Sequence, residues 1–180
     1  MSNAKEVRFP GIKDGDTFKI GDMEFIKFPS ADGMTPVVMK DIPFSSAFGN
    51  NNNLKKSTVL EQLETKILQK IINVIGAENV CTFKTDLTTL DGLKPYGVME
   101  SQISLVTLDF YRTHVEIFDR YKPDRWWWLA TPDSAPPHYS ASWTLCVSPS
   151  GCINCVHYCN DLGVRPFLIF KSSIFESSES

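Results

Sequence analysis

The chain has 180 residues, of which 42% are hydrophobic, 12% aromatic and 22% charged, with a formal net charge of −3. That length suits one domain, and the apolar share is enough for a buried core, which excludes a disordered chain. Charges of both signs are scattered without a basic stripe, so nucleic acid is not an expected partner. No apolar run approaches the roughly 20 residues that span a bilayer.

Met1 to Arg8 lacks the apolar stretch of a signal peptide, and Ser2-Asn3-Ala4 resembles a cloning scar. The expected layout is a tag or disordered segment over 1–9, a single domain over 10–175 and a polar tail over 176–180. Synthesis in the cytoplasm is expected, with the final place, virion or cell surface, left open. Of five cysteines, Cys81 stands alone, while Cys146, Cys152, Cys155 and Cys159 share one short segment. A disulfide framework spreads its bridges through a fold, so reduced thiols are expected.

In chain order, Asp16 to Ile20 alternates, Gly21-Asp22 turns, and Met23 to Phe28 resumes, which spells a β-hairpin. Pro36 to Met39 reads as a short strand, and Ile42 to Asn53 as irregular. Thr58 and Glu61 fit a capping box at the head of a helix. Its stripe would be Leu60, Leu63, Ile67, Ile71, Val74 and Ile75, with Gly76 as the stop. Residues 77–103 look loop-rich, with Asp91-Gly92 and Pro95 as turn marks. Ser104 to Val106 reads as a strand. Thr107 then caps a second helix to about Tyr121, with Phe110, Tyr111, Val115 and Phe118 facing the core and Pro123 ending it. Trp126 to Leu129 and Phe167 to Phe170 read as aromatic and apolar strands. These elements predict an α+β fold: two helices on a small twisted antiparallel sheet, with long loops.

Residues 133–164 have an unusual texture. At the whole-chain rate of 22%, about seven charged residues belong there, yet only Asp133 and Asp161 occur, and Lys, Arg, Glu, Gln and Met are absent. Leu145 and Val147 alternate with Thr144, Cys146 and Ser148, as in a strand with one face inward. Pro149-Ser150-Gly151 turns the chain. Ile153 and Val156 are expected inward on the returning strand, their spacing marking a bulge or loop between them. The outward candidates for ligand binding are Ser134, His138, Tyr139, Ser140, Ser142, Thr144, Cys146, Asn154, Cys155, His157, Tyr158 and Asn160. Tyr and Ser give contact area and adaptable hydrogen bonds at low entropic cost. A buried, loop-rich sheet region accounts for the same composition.

Trp126-Trp127-Trp128-Leu129-Ala130-Thr131-Pro132 resembles the Trp-Trp-Leu-Arg-Ser-Pro block of a large, mostly uncharacterised family of gut bacteria and their phages. Gly163-Val164-Arg165-Pro166-Phe167-Leu168 resembles its closing Gly-Val-Arg-Pro-Ala-Leu block. Ala130 stands where that family usually has Arg, and Phe167 where it usually has Ala. The layout also resembles the C-type-lectin-like domain of variable proteins of diversity-generating retroelements, a fold related to the formylglycine-generating-enzyme fold. In those systems adenines mutate, and AAY codons reach neither Lys, Glu, Gln, Met nor Trp. Those types, apart from Trp143, are the ones missing from 133–164. The resemblance implies a variable ligand-binding region over 134–160, displayed for a protein or glycan on a cell or phage surface, with homo-oligomers in prospect. Trp126, Trp127, Trp128, Trp143 and Arg165 would then be scaffold, Arg165 tying loop carbonyls together.

Two other classes compete. Cys146, Cys152, Cys155 and Cys159 with His157 have the chemistry of zinc ligands, and with His138 or His157 that of a thiol nucleophile. A single Cys-x2-Cys is a weak signal, no motif selects a nucleophile, and no phosphate loop occurs. The expectation is a binding protein rather than an enzyme, with no metal or cofactor. A plain phage structural subunit is the third reading.

Overall fold

The computed structural model describes residues 6–177. Its elements in chain order are β1 (Thr17–Ile20), β2 (Met23–Lys27), β3 (Met34–Met39), β4 (Phe44–Ser46), α1 (Thr58–Gln62), a π-helical segment (Leu63–Leu68) and α2 (Gln69–Ile75). Then come β5 (Phe83–Asp86), β6 (Val98–Ser101), α3 (Leu108–Thr113), α4 (Val115–Phe118), β7 (Trp127–Pro132), β8 (Trp143–Val147), β9 (Ile153–His157), β10 (Leu162–Val164) and β11 (Phe167–Lys171). The fold is α+β, with three sheets ordered β1-β2-β3-β11, β4-β10-β7-β8-β9 and β5-β6. Among the described residues no helix is long and apolar enough to cross a membrane.

The predicted hairpin forms, Ile20 pairing with Met23 across Gly21-Asp22. Gly21 sits at φ +60, a left-handed conformation that glycine adopts without a Cβ clash. The first long helix starts one residue earlier than the capping box implied. Ser57 is the cap, its hydroxyl accepting from the Leu60 amide. Position N3 is therefore Leu60, and Glu61 closes no box.

The stripe differs too. Val59, Leu63, Ile67, Ile71 and Ile75 are buried, Leu60 is half-buried and Val74 is 47% exposed. Those five buried residues recur every fourth position. In a regular α-helix a strict four-residue repeat drifts by about 40° per step. The wider π segment at Leu63–Leu68 absorbs much of that drift and keeps one apolar row on the core.

Residues 77–103 contain a hairpin the turn marks had hidden, β5 pairing with β6 from Phe83↔Ser101 to Asp86↔Val98. Ser104 makes an isolated bridge to Phe167 instead of a strand. The second helix starts at the predicted cap, Thr107 accepting from Phe110, but breaks at His114, where φ is −118. Tyr111 and Phe118 are buried as expected, Phe110 is half-buried and Val115 is 39% exposed.

The core has two halves, and consecutive strand residues alternate between them. Trp128, Ala130, Cys146 and Leu168 join the half under α1 and α2. Trp127, Leu129, Leu145, Val147 and Phe167 join the half under α3 and α4. Both large sheets are therefore covered on both faces, and their central strands are continuously buried instead of alternating in and out.

Two expectations about the chain ends and the tryptophans need correction. Residues 1–5 lie outside the described residues, but 6–9, assigned to a tag or disordered segment, pack in place. The Phe9 amide donates to the Ile174 carbonyl, and its ring lies 5.1 Å from Phe18. Of the tail, 178–180 lie outside the described residues, and Glu176 and Ser177 are exposed. Trp127 and Trp128 are buried, but Trp126 is 41% exposed because it precedes β7 instead of belonging to it. Trp143 is half-buried at the start of β8.

Arg165 is buried. Its Nε donates to the Met39 carbonyl at 2.8 Å, and its Nη2 to those of Lys40 and Tyr121, each at 2.9 Å. The guanidinium lies 4.9 Å from the Trp127 ring. Burial lowers its pKa to about 10, which leaves it charged at neutral pH.

Candidate charge-free recognition edge

β8 and β9 have different fates despite similar sequences. Their ladder runs without interruption from Trp143↔His157 to Val147↔Ile153, so the bulge expected between Ile153 and Val156 is absent. β8 lies inside the five-stranded sheet and β9 is its edge. Every residue from Thr144 to Ser148 is buried, while Ile153, Asn154 and Cys155 are exposed. Ile153, expected inward, is 39% exposed because no element covers its face at the edge; Val156 is half-buried against the α1–α2 half of the core.

This decides where the twelve candidate ligand residues lie. His138, Tyr139, Ser140, Asn154, Cys155 and Asn160 are exposed, and Ser142, His157 and Tyr158 are half-buried. Ser134, Thr144 and Cys146 are buried, which corrects their assignment to the outward set. Thr144 and Cys146 belong to a strand covered on both sides, and the Thr144 hydroxyl has no hydrogen-bond partner among the described residues. Nine candidates remain at the surface, along one border formed by the 136–142 loop and the β9 edge. The two parts meet where the Tyr158 amide donates to the Ser142 carbonyl and the Trp143 and His157 rings meet edge-on at 5.6 Å. Exposed Cys152 and Cys159 belong to the same border. From 134 to 160 there is no Asp, Glu, Lys or Arg.

The backbone of this border is fixed from behind. Asn52 is fully buried, and its Nδ2 donates to the carbonyls of Ser134 at 2.8 Å and Trp143 at 2.9 Å, the two roots of the loop. Its amide donates to the Ala141 carbonyl, and its Oδ1 accepts from the Tyr96 hydroxyl at 2.6 Å. The Phe48 amide donates to the Tyr158 carbonyl. At the far end Gly151 turns the chain at φ +93, and its carbonyl accepts from the Tyr111 hydroxyl. Asn52 came from an asparagine-rich stretch that composition left without a role. Its position opposite a loop more than eighty residues away has no local sequence signal. Asn52→Ala will leave two loop carbonyls and the Tyr96 hydroxyl without partners. A loss of about 2–3 kcal/mol is expected, read from urea unfolding, with faster amide exchange across 135–142.

Asp91 supplies a second clasp. It accepts from the Ser134 hydroxyl at 2.6 Å, from Thr89, and from His138 Nδ1 at 3.2 Å. The Ser134 hydrogen bond first, then that of Thr89, lower its pKa to about 2. An ionised carboxylate accepts only, so the His138 Nδ1 carries the proton. Nearby Asp133 is pushed up, by burial and then by Asp91.

The cysteines do not converge. Cys146 is buried and its thiol pushed up to about 12 by burial, whereas Cys152, Cys155 and Cys159 are exposed. His157 Nδ1 lies 3.0 Å from the Cys159 sulfur. Among the described residues no group of three or more His, Cys, Asp or Glu side chains is placed to hold a metal ion. Titration with an aromatic disulfide reagent will show two fast thiols, those of Cys152 and Cys159, with Cys155, exposed but raised by burial and then by Asp133, behind them. Cys81, half-buried and raised by burial, will follow slowly, and Cys146 only on unfolding.

Compared with protein-family models, with curated proteins and with solved structures, the chain matches none.

Proposed function

We propose that this chain is a ligand-recognition domain that meets a protein or glycan on a cell or phage surface through the 136–142 loop and the β9 edge. The finer fold assignment, a C-type-lectin-like domain of the kind diversified by retroelements, belongs to the same proposal. It rests on the resemblance of the Trp-Trp-Leu and Gly-Val-Arg-Pro blocks and on the residue types missing from 133–164. The observation that carries the reading is the separation of surface from scaffold. Nine small, polar, thiol or aromatic side chains lie along a border whose own segment, 134–160, holds no Asp, Glu, Lys or Arg, while Asn52, Phe48 and Tyr111 hold its backbone by groups that do not depend on those side chains. Loops on such a frame change their side chains without moving the frame. Tyr, His, Ser and Asn on a fixed backbone supply contact area and hydrogen bonds at low entropic cost.

Sequencing the encoding locus in many isolates tests this. The reading expects a reverse transcriptase and a near-copy of the 134–160 coding segment beside the gene. Nucleotide differences should fall on adenines in codons for exposed positions such as Tyr139, Asn154 and Asn160. Variation spread equally over the codons for Trp127, Trp128 and Arg165, or no variation at all, overturns it.

A further inference from the structure

A cavity of about 560 Å³ lies on the other side of the 88–92 loop whose Asp91 clasps the border. It opens between β5 with its following loop and the start of α3. Phe83, Phe110 and Phe167 form its aromatic side, with the Phe167 ring 5.4 Å from Phe83 and 4.9 Å from Phe110. Leu105 and Leu108 complete the apolar lining.

The polar groups of this cleft define a ligand class. Its lips carry two cations, Lys84 and Arg112, and two carboxylates, Asp86 and Asp109, so the charges cancel. Asp86 is already held by the Thr88 amide and hydroxyl, and Asp109 by Arg112 at 2.7 Å. Deeper in, the Thr131 hydroxyl accepts from the Leu108 amide at 2.9 Å, and that of Thr107 from Phe110 at 3.2 Å. Neither hydroxyl proton has an acceptor among the described residues. Thr131 is 6% exposed and lines the cleft, so its O–H is an unused donor beside an apolar wall.

We infer that this cleft binds an uncharged small molecule, its ring or hydrocarbon body against the phenylalanines and an acceptor oxygen on the Thr131 and Thr107 hydroxyls. The volume falls within the 300–1,000 Å³ that small-ligand pockets span. Of the four lip charges only Arg112 and Asp109 pair with each other; Lys84 and Asp86 balance in sum, and the interior beside the phenylalanines offers a charged ligand no charged group in return for its lost hydration. The inference does not rest on the recognition reading, although cleft-lining Thr89 bonds the Asp91 that clasps the 136–142 loop.

Three probes of one shape and different charge test it on the full-length, ¹⁵N-labelled chain: acetophenone, benzoate and benzylamine. Acetophenone is expected to shift the amides of Phe83, Leu105, Leu108 and Thr131 while leaving 153–160 unmoved. Benzoate and benzylamine should bind at least about five-fold more weakly. Thr131→Val removes the donor and should weaken acetophenone about five-fold. Thr131→Ser keeps the hydroxyl and should keep binding, which assigns the loss in Thr131→Val to the hydroxyl and not to the shape of the side chain. Ile169→Phe, which lines the cleft, should narrow it and weaken the shifts. Absence of localised shifts up to the solubility limit of acetophenone overturns the site. Equal binding of the charged probes overturns the ligand class, and unchanged binding by Thr131→Val overturns the assigned donor.

Discussion

Arg165→Met will destabilise the domain by about 3–5 kcal/mol, read as a lower urea midpoint with an unchanged slope. One guanidinium serves the carbonyls of Met39, Lys40 and Tyr121, which come from the end of β3 and from the segment after α4. Methionine fills similar space but leaves those acceptors without donors, and the Trp127 face loses its cation. Arg165→Lys should recover little. A lysine is a point charge on a flexible stem and does not reproduce a planar fork reaching several acceptors. If lysine restores wild-type stability, the fork geometry is not what this position supplies.

The three consecutive tryptophans should differ as sharply from one another as any pair of positions in the chain. Trp128 is fully buried, its Nε1 donates to the Ser46 carbonyl at 2.9 Å, and its ring meets Phe48 edge-on at 5.4 Å. Trp128→Ala opens a large cavity and will cost about 3–5 kcal/mol. Trp126 is 41% exposed, so Trp126→Ala should cost no more than about 1 kcal/mol, in the range of surface changes. Comparable losses at both positions would mean that β7 begins a residue earlier than its ladder indicates.

The sequence announced elements whose cause is local. The β1–β2 hairpin, the Thr107 cap and the Gly76 stop each rest on a few adjacent residues, and each appears where those residues stand. The long helix was visible but its start was misplaced, because Ser57 and Thr58 are both good caps and only the fold chooses between them. The β5–β6 hairpin was missed although Phe83-Lys84-Thr85-Asp86 alternates. The eleven residues before β6 carry the marks of several turns and no short connector. At the recognition border the same logic holds. Loop exposure and missing charge were legible from composition, but the burial of Thr144 and Cys146 was not. Small residues serve equally well in solvent and under close packing. Whether a strand lies at the centre or the edge of a sheet depends on the whole order β4-β10-β7-β8-β9, which adjacency in sequence does not set. The roles of Asn52 and Asp91, the latter read only as a turn mark, were hidden for the same reason, since their work is done across long chain separations.

A surface free to change requires that the border's side chains be energetically separate from the fold. One unfolding comparison tests it most directly. His138, Tyr139, Ser140, Asn154, Cys155 and Asn160 are replaced together by other small or polar residues, and the variant is measured beside Cys146→Asn. The sixfold variant is expected to stay within about 1 kcal/mol of the parent. The single buried change should cost about 3 kcal/mol or more, because it forces an amide into the apolar core half under α1 and α2. A sixfold variant that loses as much stability as Cys146→Asn would contradict the separation, and with it the reading of this edge as a surface free to change.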